Sequence, residues 1–561
     1  MGVTTNVDVR TITRSGEESY EPFIVDVADF FQRVIREYNE GPGPESLVAD
    51  VQLARSIVPA GTGAARDFSY LAPEVPEYHR DHCTACMTCV NVCPDTAILG
   101  KVVGADVLEA ALGELQAEGD RADLAGQFAR TKKFYDVPER KGETPGLFGI
   151  FVDPTKCKGC AECVEACADL GFHALTMIQK EDETVPLYQK RIDFFRSLPP
   201  TPGHFINERV AVDMMLAEQS LIYVGGAGSC AGCGEGTALR MWQAALGYKY
   251  GRENMGIVAA TGCNTVYGST YPYNPYLVPW TNSLFENAAT TALGIRMRWD
   301  QMGWQDKQLW ALGGDGAMFD IGFQALSRML ASGLNIKVLI LDTQVYSNTG
   351  GQTSTASFTA QESKMYAFGA AIPGKQESRK EVGRILMMHP STFVAQTVTA
   401  IPNHFYSAVL DAASFPGPAV VIVYTTCQPE HGVGDNKSRH QAKLAVESRA
   451  FPVFTYDPRR GETIRQRLSL QGNPAQKEDW YSVPKTGEVV DFITFARSEG
   501  RFAKQFDRDG QPPSVIGGQP PSVIGGQPPS VIGGQSSEAL QRAQADRLAN
   551  WHLLQELAGL R

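Results

Sequence analysis

Residues 309–322, LWALGGDGAMFDIG, followed at 337–343 by KVLILDT, decide the fold of this 561-residue chain. An apolar run, a glycine turn, a helical stretch near Ile321–Leu330 and a second apolar run make a βαβ unit. Ligands of such sheets sit beyond the carboxyl ends of the strands, where Asp315 and Thr343 both fall. A carboxylate in a glycine turn beside a helix N-terminus suits a hard divalent cation bridging a diphosphate. Magnesium takes near-octahedral oxygen ligands, which a carboxylate, a hydroxyl, a backbone carbonyl and phosphate oxygens would supply. Read alone, G-D-G is a tight turn. Its company raises it to a candidate site: Thr343-Gln344-Val345-Tyr346-Ser347-Asn348 follows, ahead of Thr349-Gly350-Gly351.

The twelve cysteines divide into three sets of four. Cys83, Cys86, Cys89 and Cys93 form C-x-x-C-x-x-C-x-x-x-C-P, and Cys157, Cys160, Cys163 and Cys167 repeat the spacing with Ala168 in place of proline. Structural zinc uses two C-x-x-C pairs held apart by a longer spacer. Disulfides fit poorly with an N-terminal MGVTTNVDVR that has no apolar leader, and the chain reads as cytoplasmic. The spacing is that of the bacterial two-cluster ferredoxin run, in which the fourth cysteine serves the other cluster. Cys83, Cys86 and Cys89 are therefore expected to share a [4Fe-4S] cluster with Cys167, and Cys157, Cys160 and Cys163 one with Cys93. The long spacer between the runs requires an insertion at roughly 100–150 to loop out of the module. Cys230, Cys233, Cys263 and Cys427 are left over.

Apolar residues make up 43% of the chain, enough for several cores, and no run of eighteen apolar residues marks a membrane span. A net charge of −11 argues against nucleic acid as a partner. Residues 1–75 form an N-terminal extension with an amphipathic helix near Val25–Tyr38. Residues 76–200 hold the ferredoxin-like domain and end in the proline-rich SLPPTPG, a linker candidate; 201–460 form the α/β body and 461–510 a C-terminal extension. QPPSVIGG, repeated three times within 511–535, reads as an exposed linker, and 536–561 as a terminal amphipathic helix striped by Leu540, Leu548, Trp551, Leu554 and Leu557.

From about residue 75 to 455 the chain resembles the thiamine-diphosphate enzymes of the pyruvate:ferredoxin (2-oxoacid:ferredoxin) oxidoreductase family, in their C-terminal half. The matching strings are CAGCGE (230–235), ATGCNTVYG (260–268), NSLFEN (282–287), GGDGAMFDIG (313–322), LDTQVYSNTGGQ (341–352), SFPGPAVVIVYTTC (414–427) and KLAVESRAFPVFTYDP (443–458). The fold class expected is α/β: a doubly wound thiamine-diphosphate-binding domain with an N-terminal two-cluster ferredoxin-like α+β domain. The resemblance implies that Asp315, the Thr343 hydroxyl and the Val345 carbonyl hold Mg2+. It places Glu235, Cys263, Gly314, Asp315, Gly316, Ala317, Thr343, Gln344, Val345, Tyr346, Ser347 and Asn348 around thiamine diphosphate, with Asn348 reaching the substrate. A tryptophan usually stands at the position of Ala317. Cys230, Cys233, Cys263 and Cys427 resemble the ligands of a third [4Fe-4S] cluster, nearest the thiamine.

The activity so implied is oxidative decarboxylation of a 2-oxoacid, pyruvate first, with coenzyme A as co-substrate. Electrons would pass through three clusters to ferredoxin or flavodoxin. The resemblance also implies an alpha-type partner chain carrying the activating glutamate and much of the substrate and coenzyme A site, in a dimer of heterodimers. The alternatives are 2-oxoglutarate or a branched-chain 2-oxoacid as substrate and, from another class, an electron-transfer subunit with a non-catalytic thiamine fold.

Overall fold

The computed structural model describes residues 5–12, 18–25, 27–41, 43–54, 57–366, 369–506 and 536–561. The QPPSVIGG repeat lies outside them.

The α/β body is built on eight strands: β1 (Met255–Ala260), β2 (Trp280–Ser283), β3 (Gln308–Gly314), β4 (Lys337–Asp342), β5 (Phe393–Val398), β6 (Ala419–Tyr424), β7 (Phe454–Tyr456) and β8 (Leu468–Ser469). Their order across the sheet is β8-β7-β5-β6-β4-β3-β1-β2. β1 to β6 run parallel, and β7 and β8 close one edge antiparallel. The central strands KVLILD, AVVIVY and MGIVAA are buried along their whole length. This is why they are unbroken apolar runs: a parallel sheet covered on both faces gives no strand face to water. The sheet's last strand lies beyond residue 460, so the described part of the expected C-terminal extension, 461–506, completes the body. Phe492, Phe495 and Phe502 from that segment are fully buried around Phe358.

In the ferredoxin-like domain, Glu74–Tyr78 pairs antiparallel with Leu175–Gln179. The insertion does not simply loop out. Ile98–Gly104 and Gly146–Val152 form a seven-residue antiparallel ladder that closes its neck, and Phe128–Ala129 adds a third strand. The helices Ala105–Gly113 and Glu118–Gly126 lie beyond that ladder, with Leu108, Leu124, Phe151 and Phe195 in a small core of their own. SLPPTPG is packed rather than a free linker. Lys101 Nζ donates to the carbonyls of Phe195 and Leu198, and the Thr201 hydroxyl accepts from the Val102 amide.

Residues 57–72 join the two domains, with Thr62 bonded to the Pro272 carbonyl and the Phe68 amide to the Thr155 carbonyl. Ahead of them the helical stretch 27–40 buries Phe30, Val34 and Ile35 against Tyr273.

The terminal helix Glu538–Ala558 starts at a Ser537 cap and packs on the body through Leu540, Ala543, Trp551 and Leu554. Trp551 is fully buried, its Nε1 donates to the Glu478 carbonyl at 2.8 Å, and the Arg449 guanidinium sits 4.3 Å from its ring centre. Trp551→Ala is expected to cost about 3–5 kcal/mol, read as a lowered urea midpoint together with earlier proteolytic loss of the helix.

Candidate functional site

Four neighbouring strands of the sheet, β6, β4, β3 and β1, end at the same edge. Just past their carboxyl ends come Cys427, Thr343, Asp315 and Cys263 respectively. The apolar runs thus deliver two metal-type oxygens and two thiols to one line. A cleft of about 370 Å³ opens there, lined among others by Glu235, Cys263, Asp315, Ala317, Thr343 and Asn348.

The oxygens of the expected magnesium set converge. Thr343 Oγ1 lies 3.1 Å from Asp315 Oδ1 and 3.0 Å from the Val345 carbonyl oxygen. Adjacent corners of an octahedron with metal–oxygen bonds of about 2.1 Å are about 3.0 Å apart. Both distances from Thr343 Oγ1 match such an edge, so the residues fit the ion. Asp315 is buried beside Asp342, and in the metal-free chain burial first, then that neighbouring carboxylate, pushes its carboxyl well above the usual range. A divalent cation relieves both terms at once. Asp342 is itself neutralised by Arg379.

The turn also fits a diphosphate. The wide-turn helix Gly316–Ile321 begins immediately after Asp315, earlier than the helix expected from the sequence. A Cβ on Gly314 would come no closer to protein than 3.7 Å, and one on Gly262 no closer than 3.6 Å. Both glycines line the cleft, so a side chain there would take up ligand space. Gly316 is required for another reason, since its Cβ would stand 2.3 Å from the Tyr346 ring. That ring is fixed by a 2.9 Å bond from its hydroxyl to Asp320.

Ser347 and Asn348 follow on the cleft wall, with Asn348 exposed at the mouth and the Ser347 hydroxyl 2.7 Å from Thr343 Oγ1. Ala317 is buried in the wall. Glu235 enters from the other side, near the start of the helix Gly234–Tyr250 (α1). Burial pushes its carboxyl up to about 7, against a 3.0 Å bond from the Tyr267 hydroxyl.

Gln344 is the exception among the residues expected to face the cofactor. It adopts φ +57°, turns its side chain into the protein and does not line the cleft. Its Nε2 donates to Asp342, and its Oε1 accepts from both terminal nitrogens of Arg501 at 3.2 Å. Arg501 is held by Glu499 at 2.6 Å, and the neutral His431 donates from Nε2 to the Thr343 carbonyl at 2.8 Å. The loop carrying two of the metal-type oxygens is thus braced from the C-terminal segment. Ser354, which bonds Asp315 Oδ2, and Thr261 in the cleft wall are further residues that sequence reasoning missed.

Among the described residues no group of three or more His, Cys, Asp or Glu side chains forms a site for a single metal ion. Instead, eight cysteines ring two cavities. Cys83, Cys86, Cys89 and Cys167 line one of about 370 Å³, and Cys93, Cys157, Cys160 and Cys163 line another of about 350 Å³. Thiols spread around a cavity with apolar walls suit a multi-iron group rather than one ion. Burial pushes the thiols of Cys89, Cys160 and Cys163 well above their usual range in the metal-free chain.

The backbone wraps both cavities alike, with left-handed φ at Ala85 and Met87 in one run and at Gly159 and Ala161 in the other. Non-glycine residues in that region carry strain of order 1–3 kcal/mol, and here it turns amides inward. The Ala85 amide lies 3.4 Å from Cys83 Sγ, and the Ala174 amide 3.2 Å from Cys167 Sγ. The lost proline has a local effect: the helix ending at Val92 stops before Pro94, whereas its counterpart runs through Ala168 to Asp169.

The third set gathers at the inner end of the cleft. Cys233, Cys427 and Cys230 all bear electrostatically on Cys263, and the Gly234 amide bonds the Thr426 carbonyl at 3.1 Å, tying the C-x-x-C turn to the end of β6. Cys263 also lines the cleft, so this set and the cofactor site share a wall. On its other side the set meets the ferredoxin-like domain. Lys158, which lines the Cys93 cavity, bonds Asp95 and the carbonyl and hydroxyl of Ser229, next to Cys230. Buried Glu162 accepts from the amides of Ser438 and Arg439 at 3.1 and 2.8 Å and caps the helix Ser438–Glu447. The order is cleft, Cys263 set, Cys93 cavity, Cys83 cavity.

The family described as thiamine pyrophosphate enzyme, C-terminal TPP binding domain, matches residues 260–423, and the 4Fe-4S binding domain matches residues 76–99. Pyruvate-flavodoxin oxidoreductase of Rhodospirillum rubrum is 26% identical over 87% of this chain and 42% of its own length. Pyruvate:ferredoxin oxidoreductase of Moorella thermoacetica is 28% identical over 78% of this chain and 41% of its own. The chain thus spans about two fifths of the curated relatives it matches. Among solved structures, a 2-oxoglutarate:ferredoxin oxidoreductase from Magnetococcus marinus aligns with a TM-score of 0.30 at 22% identity, over 36% of this chain and 64% of that one. No helix among the described residues is long and apolar enough to cross a membrane.

Proposed function

We infer that the chain belongs to the 2-oxoacid:ferredoxin oxidoreductase family, and on that premise propose that it is the thiamine- and cluster-bearing part of an enzyme that oxidises pyruvate with coenzyme A to acetyl-CoA and CO2. Bound thiamine diphosphate would supply the electron sink for decarboxylation, and three [4Fe-4S] clusters the one-electron steps to ferredoxin or flavodoxin. The observation that carries the reading is Cys263, whose thiol belongs both to the cleft wall and to the inner cysteine set.

Each residue has a task under this reading. Asp315, Thr343 and the Val345 carbonyl hold Mg2+ and through it the diphosphate. Gly314 and Ala317 leave room for the cofactor, Gly316 leaves room for the Tyr346 ring, and Tyr346 and Ser347 stiffen the loop. Asn348 orients the 2-oxoacid at the mouth. Glu235, with its carboxyl near neutrality, can hold or release a proton beside the cofactor. Cys230, Cys233, Cys263 and Cys427 hold the nearest cluster; Cys93, Cys157, Cys160 and Cys163 the next; and Cys83, Cys86, Cys89 and Cys167 the outermost.

Two carboxylates line the described cleft, Glu235 and Asp315, and the second is committed to the metal. Following the family resemblance, we assign the activating glutamate and most of the coenzyme A site to an alpha-type partner chain, in a dimer of heterodimers. The test is an anaerobic dye-reduction assay over several 2-oxoacids, with and without coenzyme A, on this chain alone and on its purified assembly. Pyruvate turnover only in the assembly is expected. Turnover by the chain alone overturns the partner assignment, and preference for 2-oxoglutarate or a branched-chain acid overturns the substrate. An assembly that binds no thiamine diphosphate reduces the chain to an electron-transfer subunit.

A further inference from the structure

Arg240 is a buried cation whose countercharge is not a carboxylate. It sits on α1 in the α/β body and is 3% exposed. Its Nη1 and Nη2 each donate at 2.9 Å, to the carbonyls of Cys93 and Ile98 across the domain boundary. Neither acceptor is charged. Among the described residues no carboxylate is ion-paired with it. Burial is the largest influence on it and works against its charge; of the groups that offset burial Cys93 comes first, then Tyr406 and Cys89, with Asp95 weaker than these. Asp95 is taken by Lys158 at 2.6 Å. Lys156, beside the same cavity, is turned onto the carbonyls of Ala64 and Arg66.

An isolated buried charge is expensive unless an opposite charge meets it. Cys93, whose carbonyl accepts from Nη1 and whose side chain lines the cavity, would as a cluster ligand bring the negative charge of the thiolates and sulfides beside this cation. The guanidinium is suited to the task because it cannot shed its proton as a buried lysine does.

We propose that Arg240 sets the reduction potential of the cluster ligated by Cys93, Cys157, Cys160 and Cys163, holding it above the value its thiolates alone would give. Adding an electron to an anionic cluster is easier beside a fixed positive charge, and local charge and hydrogen bonding are the protein's means of tuning such centres. The middle cluster would then be the better acceptor for electrons from the Cys263 set, whose member Cys233 stands at the N-terminus of the same helix. This inference rests on the three-cluster reading above. Arg240 is a positioning and tuning residue, since it touches neither substrate nor cofactor.

The test is an anaerobic EPR-monitored redox titration of the assembled protein with Arg240 as wild type, Arg240→Gln, Arg240→Met and Arg240→Lys, each with an iron assay. About twelve irons per chain in every variant shows that the clusters are present. The expected result is that Gln and Met move one of the three midpoints to more negative values, by about tenfold in the oxidised-to-reduced ratio or about 59 mV for one electron. The other two midpoints stay in place, and Lys restores most of the shift. If Arg240 is only a bolt between domains, all three variants lose thermal stability, Lys does no better than Gln and no midpoint moves; that result overturns the proposal. Wild-type protein with far fewer than twelve irons would instead sink the three-cluster reading itself.

Discussion

Asp315→Asn is expected to abolish Mg2+-dependent binding of thiamine diphosphate while leaving the fold intact. Asparagine keeps an oxygen at the Oδ1 position, so the 3.1 Å contact with Thr343 survives; the Ser354 hydroxyl can accept from the new amide where it donated to Oδ2, and the charge is lost. Losing a group that merely supports a metal ligand costs about 10–100-fold in affinity; loss of the charged ligand itself should exceed about 100-fold. Calorimetric titration of the assembly with thiamine diphosphate and Mg2+ measures this, and affinity within about 3-fold of wild type would contradict the assignment.

Stability of the metal-free protein should move the other way. The folded carboxyl lies well above the ordinary aspartate value of 3.8, chiefly through burial, so just above that value the unfolded state binds fewer protons at this group than the folded one. Wild-type stability therefore falls at this group as pH rises past about 4. The asparagine variant escapes that loss, so its thermal midpoint should exceed wild type at neutral pH. The two should converge as pH approaches 3.8. Opposite signs for cofactor affinity and apo stability distinguish a metal ligand from a structural aspartate.

The parts of this architecture that were legible in the sequence are those with a local signature. The two apolar runs around the glycine turn gave strands β3 and β4, and Asp315 and Thr343 just after them gave the site, because a parallel sheet places its strand ends in one row. The cysteine spacing likewise led to the crossed grouping of Cys167 with the first run and Cys93 with the second, and these are the sets that line the two cavities. Interactions of long sequence separation left no such trace. Gln344 reads as one more polar residue in a cofactor loop, and only the fold brings Arg501 and Glu499 beneath it. Arg240 lies in an ordinary helical stretch, with nothing to show that it crosses a domain boundary to Cys93. The left-handed turns at Ala85, Met87 and Ala161 are invisible too, since none of these is a glycine.

Gly232→Ala should be the most damaging single substitution outside the metal ligands. Gly232 lies inside the C-x-x-C turn at φ +67°, and a Cβ there would stand 1.8 Å from the Asp435 carbonyl oxygen and 2.7 Å from its carbon. Those are backbone atoms, so no side-chain rotation relieves the overlap. The turn cannot yield either, because the Gly232 carbonyl accepts from the Ser438 hydroxyl at 2.6 Å and from Gln428 Nε2. Forcing the two segments apart separates Cys230 and Cys233 from Cys427. Iron content should then fall from about twelve to about eight per chain, with the two ferredoxin-type clusters retained. Gly142→Ala is the matched control: it has φ +72° with nothing within 4 Å of the new Cβ. It should cost only the roughly 1–2 kcal/mol of left-handed backbone and lose no iron. Equal iron in the two variants would mean that the cysteine turn does not rest on the 435 segment, and the third cluster would have to be sought elsewhere.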